Sequence, residues 1–125
     1  MDAQQELFTA LKLAIEKEYD EYDGFLPKKA NYPFVYIADS ELNDDFTKCG
    51  ITGTVVQTIH IWHDNPLERG TVSSMLLRIK GIARGIKHTE NFGWYIRDIN
   101  QRILPDDSTD KSLLHGVLTI EYRFS

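Results

Sequence analysis

The sequence is short of the residues that mark specialised chains. Its 125 residues include one cysteine, four prolines and eight glycines, and each shortage excludes a class. With Cys49 alone, no disulfide can form within the chain, so an oxidising, secreted scaffold is not indicated. Cys49 reads as a small, partly buried loop residue, since neither His nor Asn stands near it in sequence. Few Gly and Pro among fourteen aromatic residues exclude collagen-like and low-complexity classes. No apolar run approaches the ~20 residues that span a bilayer. Met1 is followed by Asp2 and a polar stretch with no basic and apolar leader pattern, which points to a protein made and kept in a cytoplasm. A Ser-His-Asp order, a phosphate-binding Gly loop and a paired CxxC motif are all missing, so no catalytic residue is assigned and no cofactor or metal is expected.

Base is also scarce. A formal charge of -5 argues against general affinity for nucleic acid or anionic membranes. The charge is uneven: residues 1–66 hold 12 acids and 5 bases, and residues 67–125 hold 7 acids and 9 bases. A chain polarised in this way is suited to joining its own copies head to tail.

What is present reads as one α+β domain over residues 1–125. Leu7, Phe8, Leu11, Ala14 and Ile15 recur at helical spacing, predicting a helix from about Asp2, its N-cap, to Tyr19. The tract from Tyr19 to Gly24 ends it. Phe34–Ala38 is a first strand, and residues 39–52 read as a long acidic loop. From Gly53 to His63, Val55, Ile59 and Ile61 share one face and Val56, Thr58, His60 and Trp62 the other, a strand in contact on both sides. Val72, Met75, Leu76, Ile79, Ile82, Ala83 and Ile86 predict a helix from Glu68 to Lys87. The parity change between Ile96 and Ile99 predicts a bulge near Arg97-Asp98 in a bent strand from Phe92 to Leu104. A hairpin loop at 105–112 then leads to a half-buried strand carrying Leu118, Ile120, Tyr122 and Phe124. The expected architecture is a four-stranded, largely antiparallel sheet with two helices on one face, in the order α-β-β-α-β-β.

Candidate sites are few. His60, His63 and Asp64 carry metal-ligand chemistry, and a small metal-assisted hydrolase is the alternative they raise. Residues three apart on a strand point to opposite faces, however, so His60 and His63 cannot converge on one ion. Asp39, Glu41, Asp44 and Asp45 lack calcium-loop spacing and form an anionic patch. Lys80, Arg84 and Lys87 fall on one helical arc. Asp44 and Asp45 are candidates to meet that arc across a subunit contact. Tyr19, Tyr22, Tyr32 and Tyr36 are expected to cover a sheet edge. A monomeric binding module is a third possibility.

The N-terminal Glu-Leu-Phe-Thr-Ala-Leu-Lys helix, the Tyr32-Pro33-Phe34-Val35-Tyr36-Ile37 strand, the acidic loop, Thr58-Ile59-His60-Ile61-Trp62 and the closing Gly116–Phe124 strand together have a familiar pattern. It resembles the tail completion, or tail-to-head joining, proteins of long-tailed bacteriophages and prophages. The resemblance implies a structural virion protein without catalysis or cofactor. It implies a ring, commonly of six subunits, that caps the tail tube and docks on the head connector. The implied partners are further copies of itself, the tail-tube protein and the connector protein, with no sequence-specific nucleic acid and no membrane. The implied location is the host bacterial cytoplasm during assembly and then the tail-head joint of the virion.

Overall fold

The computed structural model describes residues 1–46, 50–107 and 110–125. Helix α1 (Ala3–Glu16) begins where the Asp2 carboxylate accepts the Gln5 N–H at 3.0 Å, the N-cap that the sequence predicts. Leu7, Leu11 and Ile15 are fully buried on one side of it. The strands are β1 (Glu21–Asp23), β2 (Phe34–Asp44), β3 (Gly53–His63), β4 (Trp94–Asp106) and β5 (Leu113–Phe124), with α2 (Arg69–Gly85) between β3 and β4. No helix among the described residues is long and apolar enough to cross a membrane.

They form one sheet in the order β1-β2-β3-β5-β4, with two antiparallel hairpins joined through α2 and β1 parallel to β2. The expectation of four strands is corrected to five. Strand β1 consists of Glu-Tyr-Asp, which carries no apolar alternation. It is held from outside its own sequence: Lys12 Nζ donates to Glu21 Oε1 and Asp23 Oδ1, both at 2.8 Å, tying the strand to α1.

The acidic loop is also corrected. Strand β2 continues to Asp44 through a bulge between Ile37 and Ser40, where the Gln57 amide donates to the Ala38 and Asp39 carbonyls at 3.1 and 3.2 Å. Residues 39–44 therefore lie in the sheet, and the connection shortens to 45–52. Cys49 lies outside the described residues, as do Ser108 and Thr109 of the expected 105–112 loop, of which Pro105 and Asp106 belong to β4 and Ser112 directly precedes β5.

The alternation in β3 is as read: every odd position is buried and every even one half-buried. The predicted bulge in β4 lies between Ile96 and Asp98. Both helices cover one face. Their apolar stripes meet Val55, Ile59, Ile61, Leu118, Ile120 and Tyr122 in a single cluster. Gly116 lets α2 approach closely, since a Cβ there would stand 2.9 Å from Val72 Cγ1. The buried Tyr122 hydroxyl donates to the Ala83 carbonyl at 2.9 Å, anchoring the end of α2 to the sheet. Among the described residues, no helix covers the opposite face of the sheet.

Candidate functional site

The basic residues gather where α2 runs down to the free edge of β4. Lys80 and Arg84 lie on the helix, which stops at Gly85, and Ile86 is already extended. The predicted helical arc is thus corrected at Lys87, which lies past the helix end because the chain turns to enter β4. Another contact keeps Lys87 near: the Trp94 N–H donates to its carbonyl at 2.9 Å. Arg84, Lys87 and Arg97 line one open groove of about 760 Å³ with Ile86, Trp94 and Ile99, while Lys80 stands outside it. Neither Arg84 nor Lys87 makes an ion pair among the described residues. Arg97 lies 3.6 Å from Glu121. Cations beside an open strand edge have the charge and backbone chemistry that suit an extended acidic segment.

The acids separate into two kinds. Asp44 ends β2 and is exposed. Asp45 is occupied within the chain, bound by both terminal nitrogens of Arg123 and by the Thr52 hydroxyl at 2.7 Å. The guanidinium holds the Asp45 carboxyl below its ordinary range, with the Thr52 hydroxyl adding to the effect. Asp39, Glu41 and Asp44 make no ion pair among the described residues.

His60 and His63 point to opposite faces, as strand geometry requires. His63 is buried under the helices with Nε2 2.7 Å from Glu68 Oε1, and Asp64 lies 3.6 Å from its other nitrogen. His60 faces the helix-free side, where its Nδ1 comes within 2.6 Å of His115 Nε2. The two ring centroids are 4.8 Å apart at 21°, so the rings meet edge to edge, while Trp62 stacks on His115 at 3.7 Å and 7°. Burial lowers the pKa of both imidazoles, and the neighbouring His60 helps to bring His115 down to about 4. Among the described residues, no three His, Cys, Asp or Glu side chains gather around a common point. Sequence reasoning misses His115 because its partner lies 55 residues away.

Beside this pair, Tyr32, Phe34, Tyr36 and Trp62 line an apolar groove of about 440 Å³. Tyr22 and Tyr32 pack their rings against Phe34. Tyr19 instead packs against the core cluster under the helices, so the tyrosines do not form one cover.

No family model matches the chain, and no curated protein matches it in sequence. Solved structures do share its fold. A chain from the virion of a native gene transfer agent particle superposes with a TM-score of 0.64 at 15% identity, over 97% of this chain and 94% of that one. A second solved chain, which carries no functional description, aligns with a TM-score of 0.60 at 9% identity over 99% and 97% of the two chains. What this chain shares with both is a complete two-helix, mixed-sheet fold.

Proposed function

We propose that this protein is a structural component of a phage-like particle, a ring that caps the tail tube and joins it to the head connector. The observation that carries the reading is the fold shared end to end with a chain of a gene transfer agent virion. Two features of the molecule support it. Arg84 and Lys87, and Asp39, Glu41 and Asp44 on β2, make no ion pair among the described residues and form groups of opposite sign on different elements, which suits a head-to-tail contact between copies. Its long strand β4 lies at an open sheet edge, a place where neighbours add. On this reading the protein acts by assembly: it is made in the host cytoplasm and ends at the tail-head joint, with the ring closing at about six copies.

The test is electron microscopy of the purified protein mixed with tail tubes, alongside sedimentation velocity of the protein alone. Rings on tube ends are the expected result. Reversing Arg84→Glu with Lys87→Glu is expected to weaken self-association and tail joining without unfolding the monomer, and Asp44→Lys to restore part of the loss. The effect diminishes with salt because the contacts lie at a wet rim. Bare tube ends at saturating protein would refute the reading.

A further inference from the structure

The two outer edges of the sheet match one another. Strand β4 forms one edge. Lys87 takes the outward N–H of Trp94, so the open part of that edge begins at Tyr95. At the other edge, β1 covers β2 only at residues 35–37; among the described residues no strand lies on the outer side of 38–44, where the Gln4 amide of α1 donates to the Ser40 carbonyl at 3.1 Å and leaves 41–44 uncovered. Three antiparallel steps separate β2 from β4, so the two edges run in opposite directions. When one copy is shifted sideways, its β2 therefore meets β4 of the next copy as an antiparallel neighbour.

The levels match as well. Following the pairing across the sheet, Leu42, Val55, Tyr122 and Ile96 form one row, and Asn43, Thr54, Arg123 and Tyr95 the next. The open half of β2 thus lies level with the first half of β4. Leu42 and Ile96 are both half-buried against the same core, so a sideways copy brings one apolar end of the row against the other. In the adjoining row Asp44 lies level with Trp94, the residue that holds Lys87, and the Arg84–Lys87–Arg97 groove opens beside it. One like-charge contact opposes the match, since Glu41 is level with Asp98. Arg97, the extra residue of the bulge, adjoins that position.

We infer that copies of this chain join edge to edge, with residues 41–44 of β2 adding to residues 95–99 of β4 on the next copy. The sheet then runs continuously from subunit to subunit, and the Arg84, Lys87 and Arg97 groove receives Asp44. The partner is a second copy of this chain, and the contact is heterologous, so repetition closes a ring where the rotation allows. This inference rests on the ring reading above.

The test uses cysteines in the Asn43–Tyr95 row. In a Cys49→Ser background, Asn43→Cys and Tyr95→Cys are introduced singly and together, and each protein is mixed with tail tubes and oxidised. The double variant is expected to give a ladder of disulfide-linked oligomers, and an equal mixture of the two singles to give linked dimers. Either single alone is expected to remain unlinked. Hydrogen exchange of the unsubstituted protein is expected to slow at residues 41–44 and 95–99 on assembly. Rings on tubes without a ladder or amide protection would overturn the strand pairing and leave the ring. A single variant that links to itself would show a two-fold contact and overturn the pairing too. Absence of any assembly on tubes would overturn both.

Discussion

The carboxylate of Asp45 and the guanidinium of Arg123 form a two-point contact between residues 78 positions apart. This ion pair fastens the start of the 45–52 connection to the end of β5. Neighbouring acids therefore behave differently. Asp45→Lys is expected to lower the melting temperature of the monomer, because it places two cations together and releases the Thr52 hydroxyl. Asp44→Lys is expected to leave it unchanged. Thermal melts of the two variants at low protein concentration check this, and equal melting temperatures would contradict it.

His115 predicts an acid-sensitive stability. Its pKa falls from the ordinary histidine value to about 4 in the folded chain, so the unfolded chain binds the extra proton first as pH drops. Above about pH 6.5 the group is neutral in both states and contributes nothing. Between there and about pH 4, stability is expected to fall. The loss from this residue is roughly 1 to 2 kcal/mol, discounted because the ring is only half-buried. Denaturant melts of the wild type and His115→Gln across pH 4 to 7 measure it. The variant is expected to have the shallower slope.

Gly116 is set against α2. Gly116→Val places a branched side chain where the first carbon already meets Val72, and is expected to cost about 1 to 3 kcal/mol by forcing helix and sheet apart. Chemical denaturation reads the change directly.

Ile79 is fully buried at the centre of the α2 stripe. Ile79→Asp is expected to remove about 5 kcal/mol or more, comparable to the whole stability of a small domain. Circular dichroism should show an unfolded or greatly weakened chain, and a wild-type melt would refute the placement of this stripe in the core.

The elements legible in the sequence are those whose partners are uniform along their length. Helix α2 shows its stripe because one sheet face receives Val72, Met75, Leu76, Ile79 and Ala83 alike, and β3 shows alternation because one of its faces lies in the core under the helices along its whole length while the other does not. The bulge in β4 is legible because a parity error persists in the apolar positions after it. Strand β1 leaves no such trace: its three half-buried residues depend on Lys12 and on β2. The far half of β2 reads as a loop because only Leu42 among its acids and Ser40 packs against the core. The same rule holds for the site. The positive groove is legible at Arg84 and Lys87, but Arg97 joins them only through the sheet pairing of β4. The His60–His115 contact and the closing of Asp45 onto Arg123 are products of topology, which local patterns do not encode.

The place of β5 has a kinetic consequence. It follows every other element in chain order and yet lies inside the sheet, between β3 and β4. In chain order, both helices and four strands precede the strand that links β3 to β4, so the sheet closes only once β5 is in place. Until then β3 and β4 each present an unsatisfied inner edge, and the pairings that bury the core span long stretches of sequence. Folding of this kind is slow relative to helical bundles of equal length. A folding chain whose inner edges are still unpaired offers them to other copies, and mispairing there competes with closure of the native sheet.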